Sequence, residues 1–186
     1  MSTPVSYLMT FKSRVRSYKR LLTIALIIFA LDQASKLWIL TLLPLGSYWQ
    51  PNSIEIIHGI LYIVHIGNEG AAWGMFSGHG NWLAIFAIGA LTAIYYLRES
   101  LELKQPKIQM AFGLLIGGVL GNLTDRILHG HVIDFIDVHL PFSLPYLIVG
   151  GRYPAFNVAD CSIVIGVFYY TLISAFSKPS GFKKSS

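Results

Sequence analysis

The sequence predicts an all-α membrane protein, a four-transmembrane-helix bundle with a small extracytoplasmic β-rich platform and loop. Three observations lead there. Hydrophobic residues make up 54% of the 186-residue chain and charged residues only 12%, against roughly 25% in ordinary globular domains; mean hydropathy is +0.57. The apolar residues gather in four runs, each near the length that crosses about 30 Å of hydrocarbon. Between the runs, short alternating or β-rich stretches read as strands. The length allows one compact domain over residues 1–186 and no separate soluble module.

The runs can be taken in order. LLTIALIIFALDQASKLWILTLL, about 21–43, is too long for the apolar core of a signal peptide, and Pro44 ends it with no small-residue cleavage site. It reads as a retained anchor. Residues 44–80 follow, with an alternating stretch over 60–66 that fits strands, while Tyr48, Trp49, Trp73 and Trp82 suit a membrane interface. The second run, about 81–97, is the shortest. The third, about 108–128, ends at the helix breaker Gly130, and 132–138 then reads as extended with Asp134 and Asp137 on opposite sides. The fourth covers about 157–176. The start, 1–9, and the tail, 178–186, look disordered.

Basic residues orient the bundle. Lys12, Arg14, Arg16, Lys19 and Arg20 precede the first run, Arg98, Lys104 and Lys107 lie between the second and third, and Lys178, Lys183 and Lys184 follow the fourth. The segments 44–80 and 129–156 hold only Arg152. By the positive-inside rule both termini are cytoplasmic and these two segments lie outside. The net charge of +5 is thereby a matter of orientation, and no nucleic-acid partner is expected. The single cysteine, Cys161, excludes an internal disulfide and a CxxC zinc site and reads as a small apolar residue.

Against this background the ionisable residues inside or beside the runs stand out, because they are costly in lipid and face a bundle interior. Asp32 and Lys36 are four apart and share a helix face, as an ion pair would. Ser35 beside Lys36 suggests a Ser/Lys dyad, but adjacent helical residues point about 100° apart. Gly113, Gly117 and Gly121 form a small-residue stripe for close helix contact. The stripe continues to Asp125, with Asn122 and Arg126 on the neighbouring row. Asp134 sits among Val132, Ile133, Phe135 and Ile136, which suggests a half-buried carboxylate of raised pKa. Asn157 is a good N-cap and Asp160, three residues on, a capping-box acid at a helix N-terminus that favours its ionised form. Two carboxylates pushed apart in this way are suited to general acid/base work. Spacing leaves open whether they meet. His129, His131 and Asp137 could form only a loose metal site, and HExxH and GxSxG are absent. The six histidines fall outside the runs, where interfacial hydrogen bonding explains them.

DQASK (32–36), NEGAAWG (68–74), GGVLGNLTDR (117–126), GHVIDFIDV (130–138) and FNVAD (156–160) occur in an order that resembles the bacterial lipoprotein signal peptidase family, also called signal peptidase II. The resemblance covers roughly 20–176. It implies an intramembrane aspartyl peptidase of the bacterial cytoplasmic (inner) membrane, with its active site near the extracytoplasmic face. Such an enzyme removes the signal peptide of prolipoproteins by cutting on the amino side of a diacylglyceryl-modified cysteine, without metal or cofactor. It works among membrane lipids, as an expected monomer, and is inhibited by the cyclic peptide globomycin. The motif match makes Asp134 and Asp160 the catalytic pair and assigns Asp32, Lys36, Asn68, Gly70, Asn122, Arg126 and Asn157 to substrate binding or support, with Asp125 structural. Two departures stand out: Trp73 where phenylalanine is expected, and a longer segment over 139–155.

A rival reading from the same buried charges is a small four-span transporter or proton-conducting subunit; a third is a structural membrane partner with internal ion pairs. A transporter would depend most on Asp32 in mid-span, a peptidase on Asp160 at a helix end.

Overall fold

The computed structural model describes residues 16–48, 51–70, 78, 80–143 and 151–176. Among the described residues four long helices stand out: α1 (Lys19–Leu42), α2 (Gly80–Tyr96), α3 (Pro106–His129) and α4 (Val158–Phe176). Three strands, β1 (Ile54–Ile57), β2 (Leu61–Asn68) and β3 (Val132–Val138), form one antiparallel sheet in the order β1-β2-β3. Every helix end lies within two residues of the expected span. β3 matches its expected extent, and β2 runs two residues beyond its alternating stretch. β1 was not separately legible. Trp49, Trp73 and both chain ends, for which the sequence suggests interfacial and disordered positions, lie outside the described residues.

The bundle is apolar outside and polar inside. Leu26, Leu37, Trp38, Phe86, Phe168 and Phe176 are exposed, while Asp32, Lys36, Gln109, Asn122 and Asp125 are buried. Such an exposed apolar surface is far larger than a soluble monomer shows. α1, α3 and α4 are long and apolar enough to cross a membrane. α2, with 17 residues, is shorter, at about 26 Å, and none of its side chains is buried.

Small residues let the backbones approach. A Cβ on Gly117 would meet the Ala25 carbonyl at 2.7 Å, and one on Gly113 would meet Ile24 Cβ at 2.8 Å. The expected stripe therefore packs against α1. A second stripe, Gly118 with Gly166, serves α3 and α4: a Cβ on Gly118 would lie 2.5 Å from the Ala159 carbonyl. At the end of the bundle away from the sheet, Leu21, Leu103, Ile108, Ala111 and Phe112 form an apolar core. There Gln109 ties α3 to the start of α1, donating to the Ser17 carbonyl at 2.7 Å.

At the other end, α3 stops at Gly130, whose φ of 78° is the left-handed conformation that favours glycine. The chain turns directly into β3, which lies over Ile39 of α1. β2 and β3 are in register from Leu61↔Val138 to Ile63↔Ile136, then shift so that Ile66 faces Asp134. Val64 and His65 thus oppose Phe135 alone, a β-bulge. Both bulged residues are buried, which breaks the alternation that β2 suggests in sequence. His65 turns to the end of α1, its amide donating to the Ser47 carbonyl at 3.0 Å and its Nδ1 lying 2.8 Å from the Leu43 carbonyl. It is 3% exposed, and so is not the interfacial histidine expected. On β3, the amides of Phe135 and Ile136 donate to the Phe156 carbonyl at 3.1 and 2.9 Å. The segment entering α4 is thereby pinned beside Asp134.

Candidate active site

The polar residues of the bundle converge beneath the sheet. Asn157 caps α4 in the reciprocal manner expected: its Oδ1 accepts from the Asp160 amide at 3.0 Å, and its own amide donates to Asp160 Oδ2 at 3.1 Å. Its Nδ2 reaches across to β3 and donates to Asp134 Oδ1 at 2.8 Å. One buried asparagine therefore touches both carboxylates, which answers the question that spacing left open. Asn122, two turns before the end of α3, donates to Asp160 Oδ1 at 2.7 Å and accepts from Asn157 Nδ2 at 3.2 Å. Asn68, the last residue of β2, donates to Asp134 Oδ2 at 2.9 Å. Its Oδ1 accepts the Gly70 amide at 2.9 Å.

Lys36 lies below this layer, 2% exposed. Its Nζ meets Asp32 Oδ2 at 2.9 Å, Asp125 Oδ2 at 2.8 Å and Asn122 Oδ1 at 2.9 Å. The expected Asp32–Lys36 pair is present, and Asp125 makes it a triad. Each triad carboxylate also holds a backbone amide. Asp32 Oδ1 accepts from Ala159, the residue before Asp160, at 2.9 Å. Asp125 Oδ2 accepts from Ile133, the residue before Asp134, at 3.1 Å. A single ammonium thus links the two strips of backbone that carry the two aspartates. Gln33 closes the base, donating to Asp125 Oδ1 at 3.0 Å and Asp32 Oδ2 at 3.1 Å. Gln33 was not singled out in sequence; its place inside DQASK was the available signal. Ser35 donates instead to its own turn, at the Asp32 carbonyl, so no Ser/Lys dyad forms.

Arg126 is half-buried and holds carbonyls rather than carboxylates. It donates to Gly70 at 3.0 Å and to the Asn122 backbone at 3.3 Å. All nine residues singled out therefore lie in one connected hydrogen-bond network.

Asp134 is 2% exposed, more deeply buried than the half-buried carboxylate expected, because Asn68 of β2 and Asn157 both close on its carboxylate. Burial, and after it the neighbouring Asp160 charge, pushes its pKa up to about 7 from an ordinary 3.8. Hydrogen bonds from Asn68 and Asn157 and the charge of Lys36 oppose the shift. Asp160 is half-buried. Asp137 points to the other side of β3, toward His139 and Arg152, so it does not join His129 and His131. Among the described residues no group of three His, Cys, Asp or Glu side chains is placed to hold a metal ion.

Fold and site define a membrane protein whose polar centre has the make-up of an aspartyl hydrolase: two carboxylates held by neutral amides at one end of a lipid-facing bundle. Comparison with known proteins gives the particular family. The family model for signal peptidase (SPase) II matches residues 24–176. A lipoprotein signal peptidase of Desulforapulum autotrophicum is 38% identical, over 85% of this chain and 94% of its own length. One from Staphylococcus epidermidis is 39% identical, over 82% and 86%. A bacterial membrane enzyme solved by the in meso method at 2.3 Å resolution superposes with a TM-score of 0.72 at 33% identity, covering 89% of this chain and 93% of that one. The chain belongs to the signal peptidase II family. The transporter reading finds no support in these similarities.

Proposed function

We propose that this chain is an intramembrane aspartyl endopeptidase that removes the signal peptide from diacylglyceryl-modified prolipoproteins, cutting on the amino side of the lipidated cysteine. The observation that carries the reading is Asn157, which holds Asp134 and Asp160 at once in a chain of this family. Asp134 and Asp160 are the catalytic pair. Asp160, at the α4 N-terminus, takes a proton from water as the water oxygen attacks the scissile carbonyl. Asp134 keeps its proton near neutrality, hydrogen-bonds the carbonyl oxygen, and supports the tetrahedral adduct. The carbon–nitrogen bond then breaks as Asp134 passes its proton to the leaving amine of the cysteine, while Asp160 keeps the proton taken from water, so the pair again holds one proton. Two close carboxylates share one proton readily, and their titration belongs to the pair.

The remaining residues have supporting roles. Asn68, Asn122 and Asn157 orient the carboxylates, Asp32 and Lys36 hold the backbone beneath them, and Arg126 with Gly70 lines the approach to the diacylglyceryl ester or peptide carbonyls. Residues 1–186 form one domain of four spans, α2 included, in the bacterial cytoplasmic (inner) membrane. Both termini are cytoplasmic and the dyad lies near the extracytoplasmic face, an orientation supported by the basic residues at the opposite ends of the helices. That is also the depth at which a signal peptide ends. The enzyme acts as a monomer among membrane lipids, without metal or cofactor, and is blocked by globomycin.

The test is digestion of a prolipoprotein by the purified protein in detergent, with and without the diacylglyceryl group, read by mass spectrometry. A cut immediately before the lipidated cysteine, suppressed by globomycin and absent from the unmodified precursor, is the expected result. Cleavage elsewhere, or equal cleavage of both precursors, refutes the substrate assignment.

A further inference from the structure

β3 has a second partner besides β2. From Gly151 on the chain returns alongside it: Leu140 donates to the Gly151 carbonyl at 2.6 Å, Tyr153 to Val138 at 3.0 Å, and Phe156 to Ile136 at 3.0 Å. Isolated bridges pair His139 with Arg152 and Ile136 with Phe156. These two pairings are out of step by one residue. Two residues of β3 separate Ile136 from His139, whereas Tyr153, Pro154 and Ala155 separate Arg152 from Phe156. The returning leg thus carries one residue of slack between Arg152 and Phe156, a stretch that includes Pro154, which has no amide to donate. A strand with slack can slip, and a slip of one residue reverses which face each side chain occupies. The residue after this leg is Asn157, which caps α4 and touches both Asp134 and Asp160.

A charged lock sits on the far side of the slack. Asp137 of β3 is 0% exposed, and its Oδ2 accepts from Arg152 Nη2 at 3.0 Å. His139 Nε2 lies 2.9 Å from the same oxygen and 2.9 Å from Arg152 Nε. That nitrogen serves one partner at a time, accepting from arginine when bare and donating to the carboxylate when protonated. The Arg152 guanidinium also lies over the Tyr48 ring, 4.3 Å from its centre, and Tyr62 of β2 packs on the His139 ring at 4.6 Å. The lock therefore ties the returning leg to β3, to β2 and to the chain leaving α1. The lock's hydrogen bonds run among Asp137, His139 and Arg152, on the side of β3 opposite to Asp134.

We propose that Arg152, locked on Asp137, is a positioning residue for the reaction: it fixes the register of the 151–156 leg against β3 and thereby the placement of Asn157 between the two aspartates. The inference rests on the peptidase reading above. Its consequence is a loss in turnover more than in substrate binding, because a displacement of about 1 Å at the reacting groups costs on the order of a hundredfold in rate.

Arg152→Ala is compared with wild type for kcat and KM on a diacylglyceryl-modified prolipoprotein, beside thermal unfolding. Because a lone buried Asp137 could unfold the chain, Asp137→Asn with Arg152→Ala removes both charges together. A third variant adds His139→Cys and Arg152→Cys to Asp137→Asn. The 139/152 pair is flanked by hydrogen bonds rather than bridged by them, the closer type of antiparallel pair and the one suited to a disulfide. The expected results are a fall in kcat of about tenfold to a hundredfold with KM within about twofold, and recovery of kcat in the oxidised cross-linked protein but not when it is reduced. Wild-type kcat in Arg152→Ala, or a confirmed cross-link that restores nothing, overturns the positioning role while leaving the peptidase reading intact. Failure of wild type itself to cleave removes both.

Discussion

Replacing Asp134 by asparagine should abolish cleavage and, above neutrality, make the protein more stable. The magnitude follows from the carboxyl's environment. Its pKa stands at about 7 in the folded chain against an ordinary 3.8. Between those values the unfolded chain has released the proton and the folded chain has not, so stability falls as pH rises across this window and then levels off. Below 3.8 both states hold the proton and no penalty exists. At about 1.4 kcal/mol per pKa unit, the full penalty at pH 8 is about 4 kcal/mol. Asparagine carries no charge to desolvate and escapes it. It also loses one acceptor, so either Asn68 or Asn157, which each donate to Asp134, faces an amide NH2, at about 1–3 kcal/mol. The net gain at pH 8 is therefore about 1–3 kcal/mol, shrinking or reversing at about pH 4.5. Thermal unfolding in detergent at both values reads it, at about 2–4 °C per kcal/mol for a chain of this size. A variant whose Tm shift is the same at both pH values, or less favourable at the higher one, would refute the reasoning.

Other outcomes follow from the same geometry. Lys36→Met should strand the Asp32 and Asp125 carboxylates, which are 0% and 1% exposed, at a cost of about 3–5 kcal/mol. Thermal unfolding should fall by about 10 °C, and an unchanged Tm would show that the triad is not what holds the two backbone strips. The pH dependence of kcat/KM, which reports the free enzyme, should show a limb that falls as pH rises through about 7, where Asp134 loses its proton; a kcat/KM rising through that range would reverse the two aspartates' roles. Gly117→Ala should force α1 from α3, since its Cβ would lie 2.7 Å from the Ala25 carbonyl. The expected loss is about 1–3 kcal/mol, measured by denaturation, and full stability would mean the helices are not in tight contact there.

The helices were legible because apolar runs, Pro44 and Gly130 mark their limits by chemistry that acts locally. β3 was legible for a similar reason: Gly130 ends one element, and the β-branched run of 132–138 suits another. The network was legible only in part. The Asp32–Lys36 pair follows from helical spacing, but Asp125 enters as its third member through contact between α1 and α3, which no periodicity specifies. Asp134 reads as half-buried from its own neighbours, and only β2 and Asn157, distant in sequence, bury it further. His65 shows the limit most clearly. In sequence it is a histidine in an alternating strand, whereas the bulge opposite Phe135 turns it inward to the end of α1. In sequence Arg152 is a lone positive charge; its lock on Asp137 depends on the pairing of His139 with Arg152.

The most direct test of the central claim is single-turnover cleavage of a diacylglyceryl-modified prolipoprotein by wild type, Asp134→Asn and Asp160→Asn, each first shown to be folded by thermal unfolding. Cleavage before the lipidated cysteine by wild type, and none by either folded variant, is expected. Normal cleavage by either variant would contradict a shared aspartyl mechanism at Asp134 and Asp160.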